Sequence, residues 1–192
     1  MASPVHLSVE DLKRTANVLL RRSMCALART GNFDPAIFVL GPEGDIASIP
    51  FSPGWMNSDR HKERLFGAVR VIARRVRAQA VFMLTDGFAI AYSGEERRRL
   101  AEDRDYAERY DRMGRSAASI NEIVAAGFGR KVESILVTVQ SPLYCLLIQQ
   151  HYERAGADHR HIVFGEQIGV DSNEGGHITG RMAIWDEEEH TA

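Results

Sequence analysis

Two stretches of helical periodicity alternate along this chain with strand-length apolar runs, and this alternation limits the folds open to it. In residues 8–29, leucines and alanines recur on one side of a helical wheel, and Ser8 is placed to cap the first turn. In residues 59–78, Leu65, Val69 and Ile72 form a similar stripe. The sequence therefore predicts two long amphipathic helices that each bury one side.

The remaining apolar runs have the length and the branched or aromatic composition of β-strands. They cover residues 36–40, 46–51, 80–84, 132–140, 143–152, 161–168 and 177–185. Residues 88–92 are expected to continue the third run, with a bulge or turn at Gly87. Short turn-forming connections separate most neighbouring runs, which favours antiparallel pairing.

These elements predict an α+β fold. We expect a two-layer sandwich, with a mainly antiparallel sheet of six to eight strands and two or three helices on one face. Residues 1–185 are expected to form a single domain, followed by an acidic flexible tail at 186–192. Residues 94–114 carry dense charge of both signs and are predicted to be an insertion, either a weakly docked helix or a mobile loop.

The composition is that of an ordinary globular protein, with 44% hydrophobic and 26% charged residues. No apolar run approaches the roughly 20 residues that span a bilayer, so no membrane partner is expected. The first residues lack a basic start followed by an apolar block. Cys25 and Cys145 lie far apart and are expected to be reduced, which favours a cytoplasmic location.

Charge is distributed unevenly along the chain. Residues 1–80 carry 12 Lys and Arg against 7 Asp and Glu, whereas residues 81–192 carry 12 against 19. Much of the basic excess lies on the outer sides of the two predicted helices. The arginines concerned are Arg14, Arg21, Arg60, Arg64, Arg70, Arg74 and Arg77.

If the two helices lie side by side, these arginines form one basic surface, which we call the arginine ridge. A guanidinium group donates paired hydrogen bonds to phosphate or carboxylate, so the ridge suits nucleic acid, an acidic protein or the acidic half of a second copy. The alternative is that the charges simply keep two outer helix faces solvated. The sequence leaves these readings open.

Three histidines, His151, His159 and His161, lie within eleven residues. A hairpin in the right register would bring their imidazoles to one side of the sheet, and one further ligand would complete a zinc site. The candidates for that ligand are Asp158, Glu166, Asp171 and His177. The alternative is that these histidines are polar surface residues at a hairpin end.

No serine or cysteine triad and no nucleotide-binding glycine spacing is recognisable in the chain. We therefore expect a non-enzymatic binding or assembly module that uses its charge-asymmetric surface to bind a protein partner or a second copy. The alternatives are a nucleic-acid-binding domain that uses the arginine ridge and a metal-dependent hydrolase that uses the histidine cluster. No cofactor is expected apart from zinc in the last case.

Overall fold

The structure is a computed structural model that describes residues 7–116, 119–142, 144–156, 161–172 and 184–185. Its α-helices are α1 (Val9–Thr30), α2 (Asp59–Arg75), α3 (Gly94–Glu102), α4 (Arg104–Ser116) and α5 (Ile120–Ala125). Its strands are β1 (Ala36–Leu40), β2 (Ile46–Pro50), β3 (Ala80–Ala91), β4 (Arg130–Ser141), β5 (Tyr144–Ala155) and β6 (His161–Ser172). A 3₁₀ helix at Pro53–Asn57 precedes α2.

Both long helices begin at a serine that caps them, and the cap at Ser8 is the one predicted for the first helix. The hydroxyl of Ser8 accepts a hydrogen bond from the backbone N–H of Asp11, and that of Ser58 accepts one from His61. Helix α1 ends at Gly31, whose φ of 73° is left-handed and whose N–H donates to the carbonyl of Leu27. Local sequence signals therefore define both ends of α1.

The strands form one antiparallel sheet in the order β2-β1-β3-β4-β5-β6. This confirms the predicted α+β sandwich with an antiparallel sheet. Strand β3 pairs with β4 from Val81 to Ala91 without a shift in register. The bulge or turn expected at Gly87 is therefore wrong, and the whole of β3 is one continuous strand.

The helices do not all pack on one face of the sheet, so that part of the expectation is corrected. Phe82 and Leu84 pack in one core with residues of α1, whereas Val81 and Met83 pack in another core with residues of α2. Successive strand residues point to opposite faces. Helices α1 and α2 therefore cover opposite faces, which we call the α1 face and the α2 face.

The charged segment 94–114 forms helices α3 and α4 rather than a loop. Its charges pair along the helices, for example Arg98 with Glu95 and Arg104 with Glu108. The side chain of Tyr106 is buried and lies 5.1 Å, ring centroid to ring centroid, from Phe128. This aromatic contact docks the two helices on the body of the protein.

The predicted strand 177–185 and the acidic tail fall almost wholly outside the described residues. Ile184 is described, and it packs with the α2-face core while its N–H donates a 3.1 Å hydrogen bond to Oε1 of Gln140. Among the described helices, none combines the length and apolar character that crossing a membrane requires.

Candidate ligand-binding pocket

A pocket of about 480 Å³ opens on the α2 face at the end of the sheet remote from α2. One wall comes from the end of β3 and the start of α3, and the other from β4, β5 and β6. Its volume falls within the usual range for small-molecule sites. The residues that line it are Ala91, Tyr92, Ser93, Glu96, Arg97, Gly129, Arg130, Val132, His151, Tyr152, Glu153, Val163, Gly165 and Glu166.

The β5–β6 ladder is interrupted beside this pocket. Gln150 pairs with Gln167 and Tyr152 pairs with Phe164, so two residues of β6, Gly165 and Glu166, lie opposite His151 alone. This is a β-bulge, a feature that re-aims side chains and occurs often beside functional sites. The amide of Gln150 donates a 2.9 Å hydrogen bond to the carbonyl of Gly165, which holds the bulged backbone in place.

His151 is the buried polar side chain of this pocket. It is 6% exposed, and its Nε2 has no hydrogen-bond partner among the described residues. Burial lowers its pKa below the ordinary value of 6.5, although the nearby Glu166 carboxylate acts in the opposite direction. At neutral pH the imidazole is therefore uncharged, and a ligand that hydrogen-bonds to Nε2 would relieve a buried unsatisfied group.

Ser134 stands directly opposite His151 on β4. Its side chain is fully enclosed, and its hydroxyl has no partner within the described part of the chain. The hydroxyl therefore does not make the hydrogen bond that a nucleophile shares with its base. Ser134 is also not one of the residues that line the pocket, so the geometry does not support it as a nucleophile.

Two ion pairs cross the rim of the pocket. The guanidinium of Arg97 on α3 binds both carboxylate oxygens of Glu166 on β6, with Nη1 to Oε1 at 2.7 Å. Nη1 of Arg130 on β4 lies 2.7 Å from Oε1 of Glu153 on β5. The first pair lowers the pKa of Glu166, because the guanidinium stabilises its carboxylate.

A capping box fixes the start of α3 against this rim. Ser93 accepts from the N–H of Glu96, and the Glu96 carboxylate accepts from the N–H groups of Ser93 and Gly129 at 2.7 and 2.8 Å. Gly129 has a φ of 64°, and a Cβ there would lie 2.4 Å from Cγ2 of Ile90. A glycine is thus needed where β4 begins beside α3.

The structure separates the arginines of the predicted ridge. Arg14 and Arg21 are exposed on α1, and the remaining five belong to α2 or the residues that bound it, on the opposite face of the sheet. Arg60, Arg64, Arg74 and Arg77 are exposed, whereas Arg70 is half-buried and lies 3.4 Å from Glu63. The single basic surface that needed the helices side by side is therefore not formed.

The histidine cluster is divided as well. His161 is exposed and pairs with Ala155, four residues beyond His151 on β5, which corresponds to about 13 Å along the strand. His159, Asp158 and His177 lie outside the described residues, as does the side chain of Asp171. Within the described ranges, no three His, Cys, Asp or Glu side chains form a group that could hold a metal ion.

In the sequence, His151 was a candidate zinc ligand and Glu166 one of four candidates to complete that site, whereas Arg97 was not a candidate. Arg97 is one member of a run of three arginines, and nothing in such a run marks the residue that crosses to another element. Gly165 was the available signal for the bulge, since a glycine inside a strand often marks one.

No family model matches this chain, and neither the curated proteins nor the solved structures contain a match to it.

Proposed function

We propose that this protein is a binding module whose ligand is a small polar molecule held in the pocket between α3 and strands β4, β5 and β6. The proposal depends on His151, a buried side chain that lines the pocket and whose Nε2 has no hydrogen-bond partner in the described part of the chain. Such a group costs free energy unless something hydrogen-bonds to it.

The surroundings of His151 favour binding over a structural role. The ion pairs of Arg97 with Glu166 and of Arg130 with Glu153 both lie at the rim and remain partly exposed. Each joins two different elements, so charged groups of both signs surround the opening. A concave site with a few convergent polar groups is the usual form of a small-molecule site.

A pocket-blocking variant tests this proposal. Val163 lines the pocket and is exposed, so Val163→Trp fills the space without disturbing the core. Val18→Trp, on the exposed side of α1, is the matched control. Each protein is incubated with a deproteinised cell extract and washed, and the retained small molecules are identified by mass spectrometry.

We expect the wild type and Val18→Trp to retain a compound that Val163→Trp loses. Retention of the same compounds by all three proteins, or of none by the wild type, would contradict the proposal.

A second candidate function follows from α2. Its outer side combines the exposed arginines Arg60, Arg64 and Arg74 with Val71, which is 63% exposed. Cationic groups around an apolar side chain suit an acidic macromolecule, whether a protein, a nucleic acid or the acidic half of a second copy. Charge reversal by Arg64→Glu and Arg74→Glu should then abolish retention of that partner, while the same change at Arg14 and Arg21 on α1 should not.

A further inference from the structure

The guanidinium of Arg97 is already a carboxylate-binding site in this structure. It donates hydrogen bonds to both carboxylate oxygens of Glu166, and this bidentate geometry is the one in which arginine binds carboxylates most specifically. Its Nε also donates a 3.3 Å hydrogen bond to the carbonyl of Tyr92. This hydrogen bond holds the guanidinium at the α3 side of the pocket, and it does not depend on Glu166.

Glu166 occupies a position from which it can be displaced. It lies on the bulge, it is exposed, and it belongs to neither core cluster. The side chains of Arg97 and Glu166 are 47% and 44% exposed, and exposed ion pairs are weak because water solvates both partners. A carboxylate supplied from solution can therefore exchange with that of Glu166.

His151 lies beside this pair. Its interactions with Glu166 and Arg97 contribute to its electrostatic environment, and all three residues line the same pocket. A carboxylate bound to Arg97 in place of Glu166 would lie at the pocket that His151 also lines. A hydroxyl group on the same ligand is the simplest partner for an uncharged Nε2, since it can donate or accept.

We propose that the pocket binds a small hydroxycarboxylate, whose carboxylate replaces that of Glu166 on Arg97 and whose hydroxyl group hydrogen-bonds to Nε2 of His151. This inference rests on the proposed function, because it names the class of ligand that the same pocket takes. Glu166 then acts as an internal competitor that holds Arg97 when the ligand is absent.

Direct titration tests the exchange. The imidazole resonances of His151, assigned by their loss in His151→Gln, are followed by NMR while glycolate, acetate, isopropanol or inorganic phosphate is added. The proteins are the wild type, Glu166→Gln, Arg97→Gln and the control Glu108→Gln, which removes the carboxylate of a similar exposed pair on α4.

We expect glycolate to bind Glu166→Gln about 2- to 6-fold more tightly than the wild type, because the variant lacks the internal competitor and an exposed ion pair is weak. Glu108→Gln should match the wild type, and Arg97→Gln should show no saturable shift. Acetate should bind more weakly than glycolate, and isopropanol should not bind, because each lacks one of the two groups. Tighter binding of phosphate than of glycolate would assign the site to phosphate esters and overturn the proposal.

Equal binding of glycolate by Arg97→Gln and the wild type would also overturn it, as would no gain in Glu166→Gln. The proposal that the pocket binds a small polar molecule is tested separately from the ligand class. If Val163→Trp loses a retained compound that carries no carboxylate, the pocket binds a ligand but the hydroxycarboxylate assignment is wrong. If no compound is retained and no probe shifts His151, both proposals fail.

Discussion

The phenol of Tyr152 donates a 2.8 Å hydrogen bond to Oδ1 of Asp86, across the middle of the sheet on the α1 face. Tyr152 is 1% exposed, and β4 lies between its strand and that of Asp86. The bond ties β3 to β5 over the intervening strand and gives the buried hydroxyl its partner.

Removal of this hydrogen bond should be measurable. Tyr152→Phe keeps the ring and loses a bond to a charged acceptor, so we expect the free energy of unfolding to fall by about 1–2 kcal/mol. Urea denaturation of the wild type, Tyr152→Phe, Asp86→Ala and the double variant gives the coupling directly. Additive effects of the two single changes would show that the bond does not contribute to stability.

The stability of the protein should depend on His151 in acid. Its pKa is lowered in the folded state from the ordinary value of 6.5, chiefly by burial, so the unfolded chain binds the proton more readily. The His151 contribution is complete above about pH 6.5 and is lost as the pH falls toward the folded-state pKa. Thermal melts at pH 7.5 and 5.5 should show a larger drop for the wild type than for His151→Gln. An equal drop in both proteins would contradict this assignment.

Two glycines beside the pocket provide a matched pair. Gly127 and Gly129 both have positive φ, but a Cβ at Gly127 meets nothing within 4 Å, whereas one at Gly129 meets Ile90 and the carbonyl of Ala91 at 2.4 and 2.8 Å. Gly127→Ala should cost about 1 kcal/mol for backbone strain, and Gly129→Ala about 1–3 kcal/mol more for the added overlap. Chemical denaturation measures both, and equal losses would show that the space at Gly129 is not tight.

Arg77 follows the end of α2 with a φ of 51°, a left-handed conformation that costs an arginine free energy. Arg77→Gly should therefore stabilise the protein by about 0.5–1 kcal/mol. Arg64→Gly, in the middle of α2, should instead destabilise it by a similar amount, because glycine is a poor helix former. Denaturation midpoints of the two variants should move in opposite directions; a shared direction would argue against strain at Arg77.

The helices and most strands were predictable because their patterns are local. The caps at Ser8 and Ser58 and the stop at Gly31 lie within a few residues of the helix ends that they define. The apolar sides of α1 and α2 did not predict which face of the sheet each helix covers. An apolar side indicates only that the helix packs against another part of the protein. The better signal was β3, whose residues Ala80–Leu84 are apolar on both faces and so require cover on both.

The pocket was not predictable from the sequence, because contacts between residues far apart in the chain form it. Arg97 and Glu166 are 69 positions apart, and their pairing requires α3 to dock beside the far edge of the sheet. The histidine spacing indicated His151 as a candidate zinc ligand, not as part of this pocket. The surroundings of His151 follow from a bulge that shifts the register of β6 by one residue, and Gly165, a glycine within a strand, was the sequence signal for that bulge.

The bulge at Gly165 and Glu166 can change without a change in the strand pairing on either side of it. If Gly165 were deleted, Glu166 alone would stand opposite His151, while Phe164 would still face Tyr152 and Gln167 would still face Gln150. A shorter chain could thus keep the same core with an uninterrupted ladder. Deletion of Gly165 would therefore change the position of Glu166 relative to Arg97, while the strand pairing on either side of the bulge stays the same.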